Sequence, residues 1–236
     1  LQQRLSQGGL PPALLADSKK PAFYREWLDS FFARDIQRLF GFRDMNRFNA
    51  LFEYLIKQSG GQFDVSKTAT ALGITRPTVE SHVSALEITQ AVTLLRPFHG
   101  GGMNELVKQP KIYAFDTGFV SFVRGWEPLR QEDYGPLWEH LVLEHLQAHF
   151  PDAAPLYWRD KQGREIDFVL PRQRDEVDVI ECKWSSRAID GGALGVFRGY
   201  YPKGKNYLLT PSTAPAYLKR YGEHEVLVCN PSALKP

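Results

Sequence analysis

Apolar and polar positions alternate with a helical period in the first half of the chain. Over residues 21–40, apolar side chains recur at three- and four-residue spacing, which predicts one long helix. Three shorter helices are predicted at 45–61, 64–74 and 75–90, and Gly73 marks the end of the second. The first half is therefore predicted to be mainly helical.

Strand-forming runs begin after residue 90. Residues 91–98 and 111–119 flank a glycine-rich stretch and predict a β-hairpin. Helices and strands then alternate, which is typical of an α/β domain. In chain order the pattern predicts a helix at 134–150, strands at 156–163, 164–170 and 177–184, a helix at 192–202, a strand at 206–211, a short helix at 216–222 and a final strand at 225–231.

These patterns divide the chain into three parts. We interpret it as an α+β protein with a helical lead at 1–45, a second domain at 46–130 and an α/β domain at 131–236. The first residue is Leu1, which suggests a piece of a longer protein.

The composition is that of a folded, globular protein. Hydrophobic residues make up 43% of the 236 positions and charged residues 24%, which excludes disordered, collagen-like and coiled-coil chains. No apolar run reaches the roughly 18–20 residues that a membrane helix needs, so no membrane partner is expected. Cys182 and Cys229 are too few for a disulfide scaffold, so we expect reduced thiols in a cytoplasmic protein.

The net charge of +2 is unevenly distributed. Residues 1–130 hold 16 Lys and Arg against 12 Asp and Glu, whereas residues 131–236 hold 13 against 15. This mild asymmetry permits nucleic-acid contact by the first half without requiring it.

Residues 64–89 have a helix–turn–helix pattern. Small residues let two helices approach, Gly73 makes the turn, and Ile74 and Val79 point inward. With the hairpin as a wing, the segment resembles a winged-helix domain. The residues expected to contact nucleic acid, with DNA favoured, are Thr75, Arg76, Thr78, Ser81 and His82 on the recognition helix and Lys108 in the wing. With one arginine and one glutamate on that helix, a structural or docking role stays open.

The most informative chemistry lies between residues 139 and 183. Glu181 and Lys183 share one face of a strand, and the preceding turn can bring Asp167 beside Glu181. Glu139 lies on the helix before. A solvent-facing strip of ion pairs is the plainer interpretation of these charges.

Three acids and a lysine together can also form a site for a hard cation. Asp167 and Glu181 would hold Mg²⁺ or Mn²⁺, and Glu139 would reach the ion directly or through water. Lys183 would orient or help deprotonate a water molecule, or neutralise a phosphate oxyanion. The predicted catalytic set is Glu139, Asp167, Glu181 and Lys183.

The order of these residues resembles the PD-(D/E)XK nuclease superfamily. The resemblance rests on Leu137–Glu139, on Glu165–Val169, and on Ile180–Ser186 after a gap of thirteen residues between Asp167 and Glu181. It implies a restriction-endonuclease-like α/β fold at 131–236 and metal-dependent phosphodiester cleavage.

The whole chain is similar to the C-terminal part of a prokaryotic family of AAA+ ATPases of uncharacterised function. The segments Gly8–Leu14 and Phe31–Ile36 look like that family's junction between ATPase lid and winged helix, so residues 1–45 resemble a remnant of the lid. The chain lacks the GxxxxGK[ST] loop that cradles phosphates, so ATP would bind only to an N-terminal ATPase domain outside this sequence.

Three functions stay open at this point. The leading interpretation is a nuclease module joined to an ATPase. The second is a non-catalytic module that binds nucleic acid or protein, with a degenerate nuclease fold. The third is a regulator in which the winged helix contacts DNA and the C-terminal domain mediates assembly, so an oligomer is possible.

Overall fold

The computed structural model describes residues 1–42, 44–99, 109–151, 153–173, 175–185 and 191–234. The chain forms two compact units, and each is described by itself. The first contains residues 1–94 and 109–133, and the second contains the described residues from 95 to 99 and from 134 onward. The predicted wing residue Lys108 lies outside the described residues.

The first unit is built mainly of helices. Its helices in chain order are α1 (Gln2–Gln7), α2 (Pro11–Leu14), α3 (Pro21–Phe31), α4 (Gln37–Phe40), α5 (Met45–Lys57), α6 (Val65–Leu72), α7 (Arg76–Ile88) and α8 (Thr117–Val123). A π-helical turn at Phe32–Ile36 joins α3 to α4, so the long helix predicted at 21–40 contains a local widening. Its aromatic face packs against α8, where Tyr24 and Phe119 are buried.

Side-chain caps define the helix–turn–helix of α6 and α7. The carboxylate of Asp64 accepts a 2.9 Å hydrogen bond from the amide of Lys67, and the hydroxyl of Thr75 accepts one of 3.3 Å from the amide of Thr78. Gly73 ends α6 with a φ of +62°, a conformation that glycine adopts without strain.

Strands β1 (Val92–Leu95) and β2 (Lys111–Ala114) form a two-stranded sheet. The prediction that the second strand continues to Phe119 is wrong. The chain turns into α8 because the carboxylate of Asp116 accepts a 2.8 Å hydrogen bond from the amide of Gly118 and caps the helix.

Asp116 also fastens the N-terminal segment to α8. Its Oδ2 accepts a 2.6 Å hydrogen bond from the amide of Gly9, and Arg4 lies 3.8 Å from the same oxygen. Gly8, at φ +84°, packs so closely that an added Cβ would fall on the Asp116 carboxylate. Gly8 therefore lets the backbone of the N-terminal segment come close to Asp116, where a side chain at this position would block the approach.

The second unit contains a mixed six-stranded sheet. Its elements in chain order are α9 (Tyr134–His149), β3 (Leu156–Arg159), β4 (Glu165–Gln173), β5 (Glu176–Cys182), α10 (Gly191–Tyr200), β6 (Asn206–Leu209), β7 (Tyr217–Tyr221) and β8 (His224–Cys229). The spatial order is β3-β4-β5-β6-β8-β7, with β5, β6 and β8 mutually parallel and the other pairs antiparallel. A helical N-terminal part and a mixed sheet confirm the α+β class.

One hydrophobic cluster of the second unit lies between the sheet and α10. Phe197 of α10 packs edge-on against Trp158 of β3, and the buried residues around them include Ile166, Val169, Val179, Leu194, Leu208 and Val228. At the β3 edge the chain adds a short parallel pairing, since the amide of Phe98 donates to the carbonyl of Tyr157 at 2.7 Å. The predicted strand at 91–98 is thus divided between β1 and this pairing.

The prediction of a short helix at 216–222 is wrong. Residues Tyr217–Tyr221 form β7 and pair antiparallel with β8 through a turn at Gly222, where φ is +60°. A tight turn with positive φ favours a β-hairpin over a helix.

Of the described helices, none combines the length and the apolar character required to cross a bilayer.

Candidate functional site

Asp167 and Glu181 lie on neighbouring antiparallel strands. Phe168 of β4 pairs with Ile180 of β5, so the two acids follow one step further along the ladder. Asp167 is 9% exposed and Glu181 is 3% exposed. The amide of Cys182 donates a buried 2.8 Å hydrogen bond to Oδ2 of Asp167. The sheet thus brings two largely buried carboxyl groups to one place.

Lys183 reaches both acids. Its Nζ donates a 3.1 Å hydrogen bond to Oε2 of Glu181 and lies 3.9 Å from Oδ2 of Asp167. Lys183 directly follows the last residue of β5, and its amide donates to the carbonyl of Leu209, which extends the pairing with β6. The strand pairing therefore fixes the backbone of Lys183, and its ammonium group lies beside both acids.

The electrostatics of the group follow from burial. Burial and the neighbouring charge of Asp167 raise the pKa of Glu181 well above its usual value, although Lys183 opposes this. Burial alone would lower the pKa of Lys183, but Asp167 and Glu181 outweigh it and raise that pKa. Lys183 is therefore held as an ammonium ion.

Glu139 lies on α9, which packs against β5. It is half-buried, and its negative charge contributes to the raised pKa of Glu181. The neighbouring Trp138 anchors this part of the helix, because its Nε1 donates a 3.0 Å hydrogen bond to the carbonyl of Leu209. All four residues of the predicted catalytic set thus belong to the second unit.

Oxygen atoms for a cation are present in the pair of acids. Oε1 of Glu181 is buried and receives no hydrogen bond from the described residues. In the described ranges, no group of three or more His, Cys, Asp and Glu side chains is arranged to hold a metal ion. The three-acid metal set of Asp167, Glu181 and Glu139 therefore stays a prediction.

An aromatic pair that the sequence analysis missed belongs to the same unit. Trp184 follows Lys183 and stacks on Tyr134 at the start of α9, with ring centroids 4.6 Å apart and planes inclined by 15°. The available signal was the aromatic residue beside Lys183, together with the spacing of four between Tyr134 and Trp138 on one helix face.

The recognition helix presents only part of its predicted contact set. Thr75, Arg76 and Ser81 are exposed, and Thr78 is half-buried with its hydroxyl 2.8 Å from that of Thr75. His82, in contrast, is buried.

His82 is 7% exposed, and its ring packs against Phe42 and Phe48 with centroids 4.4 and 5.1 Å away. Burial lowers its pKa, although Asp44 opposes the shift. It is a neutral core residue because its position on α7 faces the aromatic cluster.

The two cysteines are free and buried, as expected for reduced thiols. Burial raises the pKa of both thiols, and for Cys182 the charge of Asp167 adds to this effect. Neither sulfur is thereby prepared to act as a nucleophile.

Residues 1–130 match the family model described as Domain of unknown function (DUF8612). The chain belongs to this family. Residues 134–228 match a second description, Domain of unknown function (DUF4143). That second family is associated with AAA+ ATPases, so the match supports an ATPase-associated protein.

Among curated proteins, the chain is similar to uncharacterized proteins of two mycobacteria and an archaeon. It is 28% identical to those of Mycobacterium tuberculosis and Mycobacterium bovis over 170 residues, which is 70% of this chain and 38% of theirs. It is 23% identical to one of Methanocaldococcus jannaschii over 185 residues, 75% of this chain and 40% of that protein. The chain thus spans well under half the length of these relatives.

Among solved structures, the chain was matched to a half-complex of Thermococcus gammatolerans McrB AAA+ hexamers with bound McrC. The match covers 76% of this chain and 46% of that one, at 15% identity and a TM-score of 0.34. This score is too low to assign a shared fold.

Proposed function

We propose that the second unit is a divalent-metal-dependent nuclease module of PD-(D/E)XK type in an ATPase-associated protein. One observation carries the proposal: Asp167 and Glu181, on adjacent strands, both approach the ammonium group of Lys183. Buried acids that face a fixed lysine suit the cleavage of a phosphodiester assisted by a hard cation.

The order of elements supports the same proposal. α9 precedes the antiparallel run β3-β4-β5, and α10 crosses to β6, which is parallel to β5. Glu139 falls on α9, Asp167 on β4 and the Glu-X-Lys sequence at the end of β5. This succession agrees with the resemblance to the nuclease superfamily.

The residues present fit a divalent cation. The raised pKa of Glu181 and its unbonded Oε1 are both features that a cation between the acids would relieve. Asp167 and Glu181 would hold Mg²⁺ or Mn²⁺, with Glu139 as a further ligand directly or through water. Two carboxylates are enough for Mg²⁺, which keeps several of its waters. When bound, the ion supplies Lewis-acid stabilisation of the phosphate and activates a water molecule.

The chain's own groups then have distinct roles. The amide of Cys182 orients the carboxylate of Asp167. Lys183 keeps its proton at Nζ because the two acids raise its pKa, which suits it to stabilising negative charge on a phosphate oxygen rather than to accepting a proton.

For the first unit, we propose that α6 and α7, with the strands β1 and β2 as the wing, form a winged-helix element that contacts nucleic acid, DNA above all. Thr75 and Arg76 are exposed at the start of α7 and Ser81 is exposed further along it, so all three suit contacts to phosphate. In the longer protein, we propose an N-terminal AAA+ ATPase domain as the partner of this chain, and assembly as an oligomer.

A non-catalytic binding module is the second candidate. One specific observation favours it: in the described ranges, no three acidic, His or Cys side chains are grouped to hold a metal ion, and Lys183 itself pairs with Glu181 at 3.1 Å. In such a module, this ion-pair cluster would serve the fold and the surface would bind nucleic acid or protein without cleavage.

Cleavage of labelled DNA and RNA in the presence of Mg²⁺ or Mn²⁺ tests the proposal. We expect the unmodified chain to cut, and Asp167→Ala and Lys183→Ala to lose the activity. Lys161→Ala removes an exposed lysine of the same unit and should cut normally. A folded chain that cuts no substrate with either metal would favour the binding module.

A further inference from the structure

The acid–lysine group is followed directly by an aromatic side chain that the proposed chemistry does not use. Trp184 stacks on Tyr134 with a centroid distance of 4.6 Å, and it meets Trp138 edge-on at 6.3 Å. Trp184 directly follows Lys183, and its neighbour Trp138 directly precedes Glu139, so the stacked pair adjoins two residues of the candidate site along the chain.

The pair is both accessible and fixed in orientation. Tyr134 and Trp184 are each part-exposed, whereas Trp138 is 3% exposed and is anchored to the carbonyl of Leu209. Tyr134 and Trp138 stand four residues apart on α9 and support the indole of Trp184 from one helix face. An aromatic ring whose plane is already set loses little entropy when a flat ligand stacks on it.

We infer that Tyr134 and Trp184 form a stacking platform for an unpaired base, and that the site takes single-stranded nucleic acid. The inference rests on the proposed function for the phosphodiester chemistry beside the platform. Inside a duplex both faces of a base are covered by neighbouring pairs, so a side chain stacks there only if the pairs are first pushed apart, whereas an unpaired base offers its face directly. Such stacking tolerates any base, because every base has a flat aromatic face.

Binding without cleavage tests the platform. The Asp167→Asn variant of the full chain keeps an acceptor for the Cys182 amide and serves as the uncleaving background. The probes are fluorescein-labelled oligothymidylate, oligouridylate, a blunt DNA duplex, and an abasic strand of equal length that keeps the phosphates. Fluorescence anisotropy gives the affinity, and quenching of tryptophan emission reports the stacking.

Adding Trp184→Ala should weaken binding of the two base-bearing single strands by roughly 5- to 100-fold. Binding of the abasic strand and of the duplex should stay the same. Trp184→Phe retains an aromatic face and should keep most of the affinity. Tyr217→Ala removes an exposed aromatic ring elsewhere, on β7, and should change nothing. If Trp184→Ala fails to fold, Tyr134→Leu provides the same comparison.

The outcomes separate this inference from the proposed cleavage. Equal binding of all probes with and without Trp184 overturns the platform even if the unmodified chain cuts DNA. Absence of binding to every probe also overturns it. Base-dependent binding that disappears with Trp184 supports the platform even where no cutting is seen, and the failure then concerns cleavage alone.

Discussion

The main-chain amide of Cys182 donates a 2.8 Å hydrogen bond to Oδ2 of Asp167 and thereby joins β5 to the acid on β4. The bond is buried, so water cannot replace either partner. Asp167 therefore supports the sheet as well as belonging to the candidate site. Some substitutions at this position remove only the negative charge, whereas others also remove the acceptor of the Cys182 amide.

Asp167→Ala should be less stable than Asp167→Asn. Alanine leaves the buried amide of Cys182 without an acceptor, whereas asparagine can still accept through its side-chain oxygen. The difference in free energy of unfolding should be about 1–3 kcal/mol in urea titrations. Equal stability of the two variants would show that the hydrogen bond contributes nothing to the fold.

Lys183→Met should destabilise the second unit by up to about 3 kcal/mol. The substitution leaves the carboxyl group of Glu181, which is 3% exposed, without its ion pair. Adding Glu181→Gln removes the buried carboxyl group that has lost its partner and should restore much of the loss. Urea unfolding of the single and double variants measures this coupling, and simple additivity would argue against it.

Gly8→Ala should cost more stability than Gly41→Ala. Both glycines have positive φ, at +84° and +63°, so both substitutions strain the backbone. Only at Gly8 does the new Cβ fall on the carboxylate of Asp116, whereas at Gly41 no atom lies within 4 Å. We expect an extra penalty of about 1–3 kcal/mol at Gly8 in thermal or urea unfolding. Equal losses of stability in the two variants would mean that the contact of Gly8 with Asp116 can rearrange to accept a Cβ at no cost.

The contribution of Lys19 to stability should rise with pH. Burial lowers the pKa of Lys19 to about 8, although Glu127 opposes this, and its Nζ donates to the hydroxyl of Ser121 at 2.7 Å. Between about pH 8 and the ordinary lysine value of 10.5, the unfolded chain binds more protons than the folded one. The stability of the unmodified chain relative to Lys19→Met should therefore increase from pH 7 to pH 10. A difference that does not change with pH would contradict the assigned shift.

Substitutions at two positions of α7 should affect different properties, DNA affinity at Arg76 and stability at His82. Arg76→Ala removes an exposed cation, so DNA affinity should fall and the slope of its salt dependence should decrease by about one, with stability nearly unchanged. His82→Ala removes a ring from the aromatic core and should cost about 2 kcal/mol. Anisotropy at several salt concentrations and urea unfolding distinguish the two, and a DNA defect confined to His82→Ala would reverse this assignment.

Periodicity and capping chemistry were enough to predict most elements. The end of the first helix of the helix–turn–helix is predicted from Gly73, and the structure shows that local hydrogen bonds to Asp64 and Thr75 determine where the two helices start. The position of α10 and the strands β4 to β6 also follow from local patterns. These elements place Asp167, Glu181 and Lys183 together.

Long-range packing explains what the sequence could not reveal. His82 has the polarity of a surface residue, and only the arrangement of Phe42 and Phe48 around it shows that it is buried. The contact between Tyr134 and Trp184 joins residues fifty positions apart, which no local pattern reports. The strand β7 has a composition that also suits a helix, and its pairing with β8 decides the outcome.

Strand β7 is the last member of the sheet, and it is exposed along both faces for most of its length. A bare strand edge invites further strands from other molecules. Lys219 and Arg220 lie in β7 and are exposed to solvent. A strand from another molecule that paired with β7 would have to desolvate both cations, and it would gain apolar contacts only with Tyr217 and Leu218. The two cations therefore protect this edge against aggregation through strand pairing. Replacing both with threonine should make β7 prone to pair with strands of other molecules.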